Sequence, residues 1–422
     1  DTLAPDTLAP DTLAPDTLAP DTTPTPDSAP PACALSGNHM IGKATTGSID
    51  FTSFAAAFAK LKSCGVSGPT TFTVKTGTYT EAGFQFPVVP YASPSAQVSF
   101  IAQGTVKLVG RNTTHKAIVT IEAGAHDLIL DGFEIDGLDV DNTPLGSYGG
   151  PVIFGSGGNQ KRITLRNLYI HDFVGATAWS SSSYIGAIYA QVSSTSRIDD
   201  LLIEGCRFHR IAPPASFHTQ GAICFRYGTR INVTISRCEF FDINKMPAIE
   251  FRAGTHRGIT LVANNMFVLG DGQAAIKLYS SPILANDLQV AFNSMFTAST
   301  TSSGITGSVS STSTGSVVAK NNILKGPSAN TKVSLISGMT SHVSEDHNCL
   351  GNAVAGLPTP SVNDIIGVAT FFDTVGPTYN LHSSNGSPCL DKAKAMPGVV
   401  DVDFDGVARS TVTPDIGADE RN

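Results

Sequence analysis

Seven stretches of this chain, DLILDGFEI, RITLRNLYI, DLLIEGCRF, NVTISRCEF, GITLVANNM, DLQVAFNSM and SVVAKNNIL, follow one template. Apolar or small residues stand at a start position and at the second, fifth and seventh residues after it, with Asn or Cys at some fifth positions. The starts are Leu128, Ile163, Leu201, Val233, Ile259, Leu288 and Val317, so the word returns every 26 to 38 residues. A second column precedes it: Ile118, Ile153, Ile188, Ile223, Ile249, Ile276 and Ile305. Two short strands per repeat with a variable loop and no helix exclude leucine-rich, ankyrin and tetratricopeptide solenoids. A propeller blade would need four strands at a steadier spacing. A coil whose strands pair with their copies above and below fits the pattern, which is a parallel β-helix. The fifth-position column reads Phe133, Leu168, Cys206, Cys238, Asn264, Asn293 and Asn322, and its asparagines, 29 residues apart, suggest an inward ladder of stacked amides.

Composition agrees. Apolar residues make up 41% of the 422 and charged ones only 15%, with 40 glycines for turns. The net charge of −8 is concentrated at the start, where six aspartates precede the first basic residue, Lys43. The remaining 29 acids face 27 bases, and no basic patch points to nucleic acid. No apolar run reaches the ~20 residues of a membrane helix. A chain beginning with Asp reads as a mature, exported form whose signal peptide has been removed. Seven cysteines suit an oxidising compartment, with Cys33 expected to staple to Cys64 and Cys349 to Cys389. Cys206 and Cys238 fall in adjacent coils of one column. In-register side chains point the same way, so two buried thiols are expected there, with a bond as the alternative; the state of Cys224 stays open.

Four divisions follow: a Pro-rich arm at 1–32, a cap with the first coils at 33–115, coils at 116–330, and final coils with a closing segment at 331–422. Phe51, Phe54, Ala55, Phe58 and Leu61 recur at helical spacing, with Asp50 as the expected N-cap, so 50–62 reads as an N-terminal capping helix. The following TTFTVKTGTYTE alternates like a strand.

The segment SGNHMIGKATTGSIDF through SCGVSGPTTFTVKTGTYTE, together with the ending DVDFDGVARSTVTPDIGADE, resembles secreted bacterial right-handed parallel β-helix proteins of the pectin-lyase-like fold. The resemblance covers about residues 33–422. It implies the right-handed all-β solenoid and secretion, and is nearly silent on activity, since such proteins include lyases, hydrolases and adhesins.

For chemistry, the carboxylate-bearing words of the pectin hydrolases (NTD, DD, GHG, RIK) are absent as a set. β-Elimination on an acidic polysaccharide needs a cation for the uronate carboxylate and a base for the C5 proton. Strand alternation turns Tyr189, Cys224, Glu250 and Lys277, then Gln191, Arg226, Arg252 and Tyr279, outward from the isoleucine column. Arg226, Arg252, Lys277 and Tyr279 are therefore the candidate lyase residues, with His218 in the loop before them; an exposed ladder of opposite charges is the competing reading. No cofactor is required. Asp401, Asp403 and Asp405 alternate along an extended segment and could hold calcium; the alternative is a closing loop bonded through Arg409. The acidic run Asp131, Glu134, Asp136, Asp139, Asp141 is a weaker cation candidate. His171, His209 and His256 fall on separate coils, in what read as solvated turns. The Ser/Thr-rich stretch 297–316 reads as a polar loop.

The arm repeats DTLAP four times, placing Leu3, Pro5, Leu8, Pro10, Leu13, Pro15, Leu18 and Pro20 along an extended chain. At about 3.1 Å per residue it reaches roughly 100 Å, about twice the length of ten stacked coils. The leading expectation is an exported structural or cell-surface protein that self-assembles through this arm into a filament or layer, with other copies of itself as partners. A lyase or binding protein for an acidic polysaccharide is the alternative.

Overall fold

The computed structural model describes residues 29–43, 49–110, 117–138, 150–173, 186–191, 194–212, 220–299, 301–327, 334–351, 361–376 and 379–421. The arm residues from Leu3 to Pro20, together with Asp139, Asp141 and His218, lie outside the described residues.

The chain forms a parallel β-solenoid, with a twenty-stranded and a nine-stranded sheet of parallel ladders. In one ladder Val98, Leu128, Ile163, Leu201, Val233, Thr260, Leu288, Val317 and Val343 stand opposite one another. The nine-stranded sheet aligns Val119, Val152, Ile188, Ile223, Ile249, Ile276, Ile305 and Ile336. Two columns therefore slip by one residue from their sequence expectation. Val119 and Val152 take the places of Ile118 and Ile153. Thr260 replaces Ile259, because the strand Thr255–Ala263 carries one extra residue between Arg257 and Thr260. Ile259 is left 60% exposed.

Each central coil has three strands rather than two; Ile223–Arg226, Thr229–Ser236 and Glu239–Ile243 make one turn. The nine-residue word spans two of them, broken by a corner at its fourth position. There Gly132, Asn167, Gly205, Arg237, Asn264, Phe292, Asn321 and His347 all take positive φ. That conformation favours Gly and Asn and strains Arg, Phe and His by on the order of 1 kcal/mol. The corner interrupts strand alternation, so the fourth side chain faces out and the fifth faces in.

The inward fifth position holds the amide ladder, with Asn265, Asn293, Asn322 and Asn348 as its members. Asn264 is not among them: the extra residue at Ile259 shifts it to the corner. Each ladder Nδ2 donates to a carbonyl of the preceding coil, and those of Asn265, Asn293 and Asn322 also donate to the Oδ1 of the next asparagine at 2.9–3.1 Å. Each backbone N–H of Asn265, Asn293 and Asn322 donates to the same Oδ1. Asp364 ends the run by accepting from Asn348 N at 2.7 Å. Every side-chain amide of the four ladder asparagines thus has a partner. Cys238 and Cys206 occupy this column one and two coils earlier as buried free thiols, and Cys224 is also free and buried. Stacked Phe208, Phe240 and Phe267, with centroids 4.8 and 4.9 Å apart, fill part of the core.

The helix runs Phe54–Cys64. Its N-cap is Ser53, whose Oγ accepts from Ala56 N; Asp50 instead accepts from Met40 N at 2.7 Å. Glu81 completes the helix start by accepting from Phe54 N and Ala55 N. Phe54 and Phe58 pack on Phe86 and Phe100 of the first coils. Cys33–Cys64 and Cys349–Cys389 are disulfide-bonded. The stretch 297–316 is not wholly loop, since Ser303–Gly307 is a strand of the smaller sheet.

The closing segment folds back onto the coils through Arg409, as its sequence suggests. Arg409 donates to Asn264 Oδ1 at 2.8 Å, to the carbonyls of Gly417 and Ala418, and to Glu420. Asn264 Nδ2 in turn donates to Val402 O at 2.6 Å.

Candidate functional site

The outer face of the nine-stranded sheet brings the expected residues into register. Tyr189, Cys224, Glu250 and Lys277 lie opposite one another on successive strands, as do Gln191, Arg226, Arg252 and Tyr279. Small residues before each strand let the coils close up. A Cβ on Gly221 would sit 2.5 Å from Glu250 N, so only glycine fits there.

This face is not the exposed ladder of charges that alternation alone suggests. Cys224 and Glu250 have no accessible surface, and Arg226 is 7% exposed. Arg226 donates to Tyr227 Oη at 3.1 Å and to Tyr189 Oη at 3.4 Å, with its guanidinium 4.6 Å from the Tyr227 ring centre. Cys224 Sγ donates to the buried Gln220 at 3.2 Å. Tyr227 and Gln220, which lie beside the strands, join this group without any signal in the sequence, whereas Tyr189 comes from the outward column.

Glu250 is the electrostatic centre. Neither carboxyl oxygen has a hydrogen-bond partner, and the nearest cation is Arg252 Nη1 at 3.6 Å from Oε1. Burial pushes its carboxyl up to about 7, against the lowering pull of Lys277 and Arg252. Burial also raises the Cys224 thiol well above its usual range, and the Glu250 charge adds to this. At the accessible edge, the Arg252 guanidinium lies 4.2 Å and the Lys277 ammonium 5.1 Å from the centre of the Tyr279 ring. Tyr279 itself is 37% exposed. The patch therefore presents cations and one phenol outward, over a carboxyl that can be neutral near neutral pH.

The other candidates fare differently. Asp401 accepts from Gly398 N, and Asp403 is buried and accepts from Val407 N and Glu420 N. Asp405 turns to His382. The three aspartates therefore do not converge as one ligand set. In the acidic run, Asp131 bonds Arg166 and Asn167, while Glu134 and Asp136 share Lys107. His171 is buried between Asp172 and Glu134, and His256 is buried beside Arg230 rather than solvated.

No helix among the described residues is long and apolar enough to cross a membrane. No family model and no curated protein matches the chain. Among solved structures it is similar to the pectate lyase Pel9A, at 13% identity and TM-score 0.43, over 93% of this chain and 99% of that one. It is also similar to the Streptococcus pneumoniae surface protein and adhesin PfbA, at 13% identity and TM-score 0.41, over 74% and 91% of the two chains. A PL6 family alginate lyase, AlyGC, aligns at 11% identity and TM-score 0.36, over 89% of this chain and 59% of that one.

Proposed function

We propose that this protein acts on an acidic polysaccharide at the outer face of the strands Ile223–Arg226, Ile249–Arg252 and Ala274–Tyr279, cleaving it by β-elimination. The supporting observation is the grouping of Arg252 and Lys277 with a half-exposed Tyr279, their cationic groups 4.2 and 5.1 Å from its ring centre. Arg252 neutralises the sugar carboxylate and so acidifies the C5 proton. Tyr279, acting as its phenolate, takes that proton from C5; the C4–O4 bond breaks as the C4–C5 double bond forms, and the departing O4 takes the same proton back from the Tyr279 hydroxyl, which restores the phenolate. Arg226, held by two tyrosines, supports the cationic wall beside Arg252.

The test is incubation with a panel of uronic-acid polymers while following the ultraviolet absorbance of the unsaturated product. Tyr279→Phe should lower turnover by about 10²–10⁴-fold while polymer binding persists. No absorbance rise with any polymer would overturn the lyase reading.

A second reading, export and self-association through the DTLAP arm, rests on the fourfold sequence repeat alone. Removing residues 1–32 and sizing the product tests it: assemblies that survive the deletion would refute it.

A further inference from the structure

Three side chains distant in sequence meet in the closing segment, away from the face described above. His382 lies on the strand Asn380–Ser383, Asp405 in the turn after Asp403, and Asp419 near the end of the described chain. Their potential ligand atoms, one imidazole nitrogen and two carboxylate oxygens, all lie within 4.8 Å of one another.

The His382 ring is fixed in a ligating sense. Its backbone N–H donates to Asn380 Oδ1 at 3.1 Å, which identifies that atom as an acceptor. His382 Nδ1, 2.5 Å from the same oxygen, must therefore carry a proton. Nε2 is the nitrogen that faces Asp405 Oδ2, at 3.1 Å. An imidazole held through Nδ1–H, with Nε2 turned toward carboxylates, is how metal-binding histidines are oriented.

Asp419 supplies an independent observation. It is only 7% exposed, yet its carboxylate makes no hydrogen bond or ion pair among the described residues. Its acidic neighbours differ. Asp403 accepts from Val407 N and Glu420 N, Asp415 from Asp391 N and Arg421 N, and Glu420 from Ser410 N, Asp415 N and Arg409. A carboxylate on a largely buried residue, with no hydrogen bond among the described residues and with Asp405 within 4.8 Å, is one that a cation would compensate.

We propose that His382, Asp405 and Asp419 bind a divalent first-row transition ion of the Zn²⁺ or Mn²⁺ class. The imidazole favours such an ion over calcium or magnesium, which prefer all-oxygen shells. Two ligands at about 2.1 Å from a tetrahedral ion stand about 3.4 Å apart, close to the 3.1 Å between His382 Nε2 and Asp405 Oδ2. The ion acts as a clasp. It ties the hairpin Phe371–Asp373 and Asn380–Ser383 to a segment that docks on the coils through Gly417 N to Asn321 O and Ala418 N to Ser294 Oγ.

The competing occupant is a second proton, with Nε2–H bridging the carboxylates as an imidazolium. Calorimetric titration of chelator-treated full-length protein with Zn²⁺, Mn²⁺ and Ca²⁺, paired with thermal melts, separates the two. One Zn²⁺ or Mn²⁺ per chain, a raised melting temperature and weaker Ca²⁺ binding are expected. Asp419→Asn and His382→Gln should each weaken binding at least tenfold. If either fails to fold, Asp405→Asn serves, because Asp405 is half-exposed and its carboxylate holds no backbone group. Absence of binding, or binding unchanged in these variants, would overturn the proposal. So would a melting temperature that responds to acid but not to metal.

Discussion

Replacing Glu250 by Gln isolates the cost of ionising a carboxyl that has no accessible surface and no hydrogen-bond partner. Its carboxyl is raised from an ordinary 4.5 to about 7, chiefly by burial. The folded state therefore holds the proton more tightly than the unfolded chain does. The stabilisation is fully present below the unfolded value of 4.5 and is lost as pH rises through about 7. The difference corresponds to about 3 kcal/mol between about pH 5 and about pH 9. Gln mimics the protonated acid in size and cannot titrate. Wild type and Glu250→Gln should thus have similar unfolding free energies at about pH 5, with the variant more stable by about 3 kcal/mol at about pH 9. Urea unfolding followed by circular dichroism at several pH values gives both curves. Glu345 is raised to about 7 as well, by burial and then by Asp364, so the wild-type curve alone is ambiguous. The difference between the two proteins removes that contribution. Parallel curves across the range would refute the reasoning, because they would mean the carboxylate of Glu250 is solvated or fully compensated by Arg252 and Lys277.

Asn293→Ala should cost about 3–5 kcal/mol in unfolding free energy, since it leaves Val262 O and Asn265 N without their partners inside the core. The same change at Asn244, whose side chain makes one exposed bond, should cost under about 1 kcal/mol. Arg162→Ala should destabilise by about 3–5 kcal/mol at neutral pH. Asp127 is fully buried, and although burial alone raises its carboxyl, the bonds and charges of Arg162 and His126 hold it below the usual carboxylate range. The Arg162 loss should shrink as pH falls through the Asp127 value, which the same unfolding assay reads. Reducing Cys349–Cys389, which closes a loop of 40 residues, should lower stability by about 4 kcal/mol, visible in melts with and without reductant.

The repeat was readable in the sequence because inward residues must be apolar or pair with one another, whatever else a coil does. Its register was less so. Val119 and Ile118 are both β-branched, as are Val152 and Ile153, so hydrophobicity alone does not choose between neighbours. The doublet Asn264-Asn265 conceals a division of labour, since one amide faces the ladder and the other the closing segment. Asn321-Asn322 repeats it, with Asn321 bonding Lys394 at both its amide atoms. A regular 29-residue spacing favoured the wrong member of the first pair, because the extra residue at Ile259 adds length without changing the apolar pattern. On the candidate face the strands bring these residues into register as alternation suggests, but alternation says nothing of their exposure. Burial of Glu250 depends on packing that a one-dimensional pattern does not contain. His382 and Asp419 meet only because a hairpin and a returning segment converge, and nothing in their spacing marks this.

The return of the closing segment sets an order of events during synthesis. Arg409 and Asn264 are 145 residues apart, so the bond between them cannot form until nearly all of the described chain has emerged. Coils can stack one by one on the helix Phe54–Cys64 as they appear, each templated by the last. The outward amides of Asn264 and Asn321 must wait, solvated, for a partner delivered last. A ribosome stalled within the final coils would therefore hold a solenoid that is wound but unlatched, with its late coils open to proteases and to strand exchange with a neighbour.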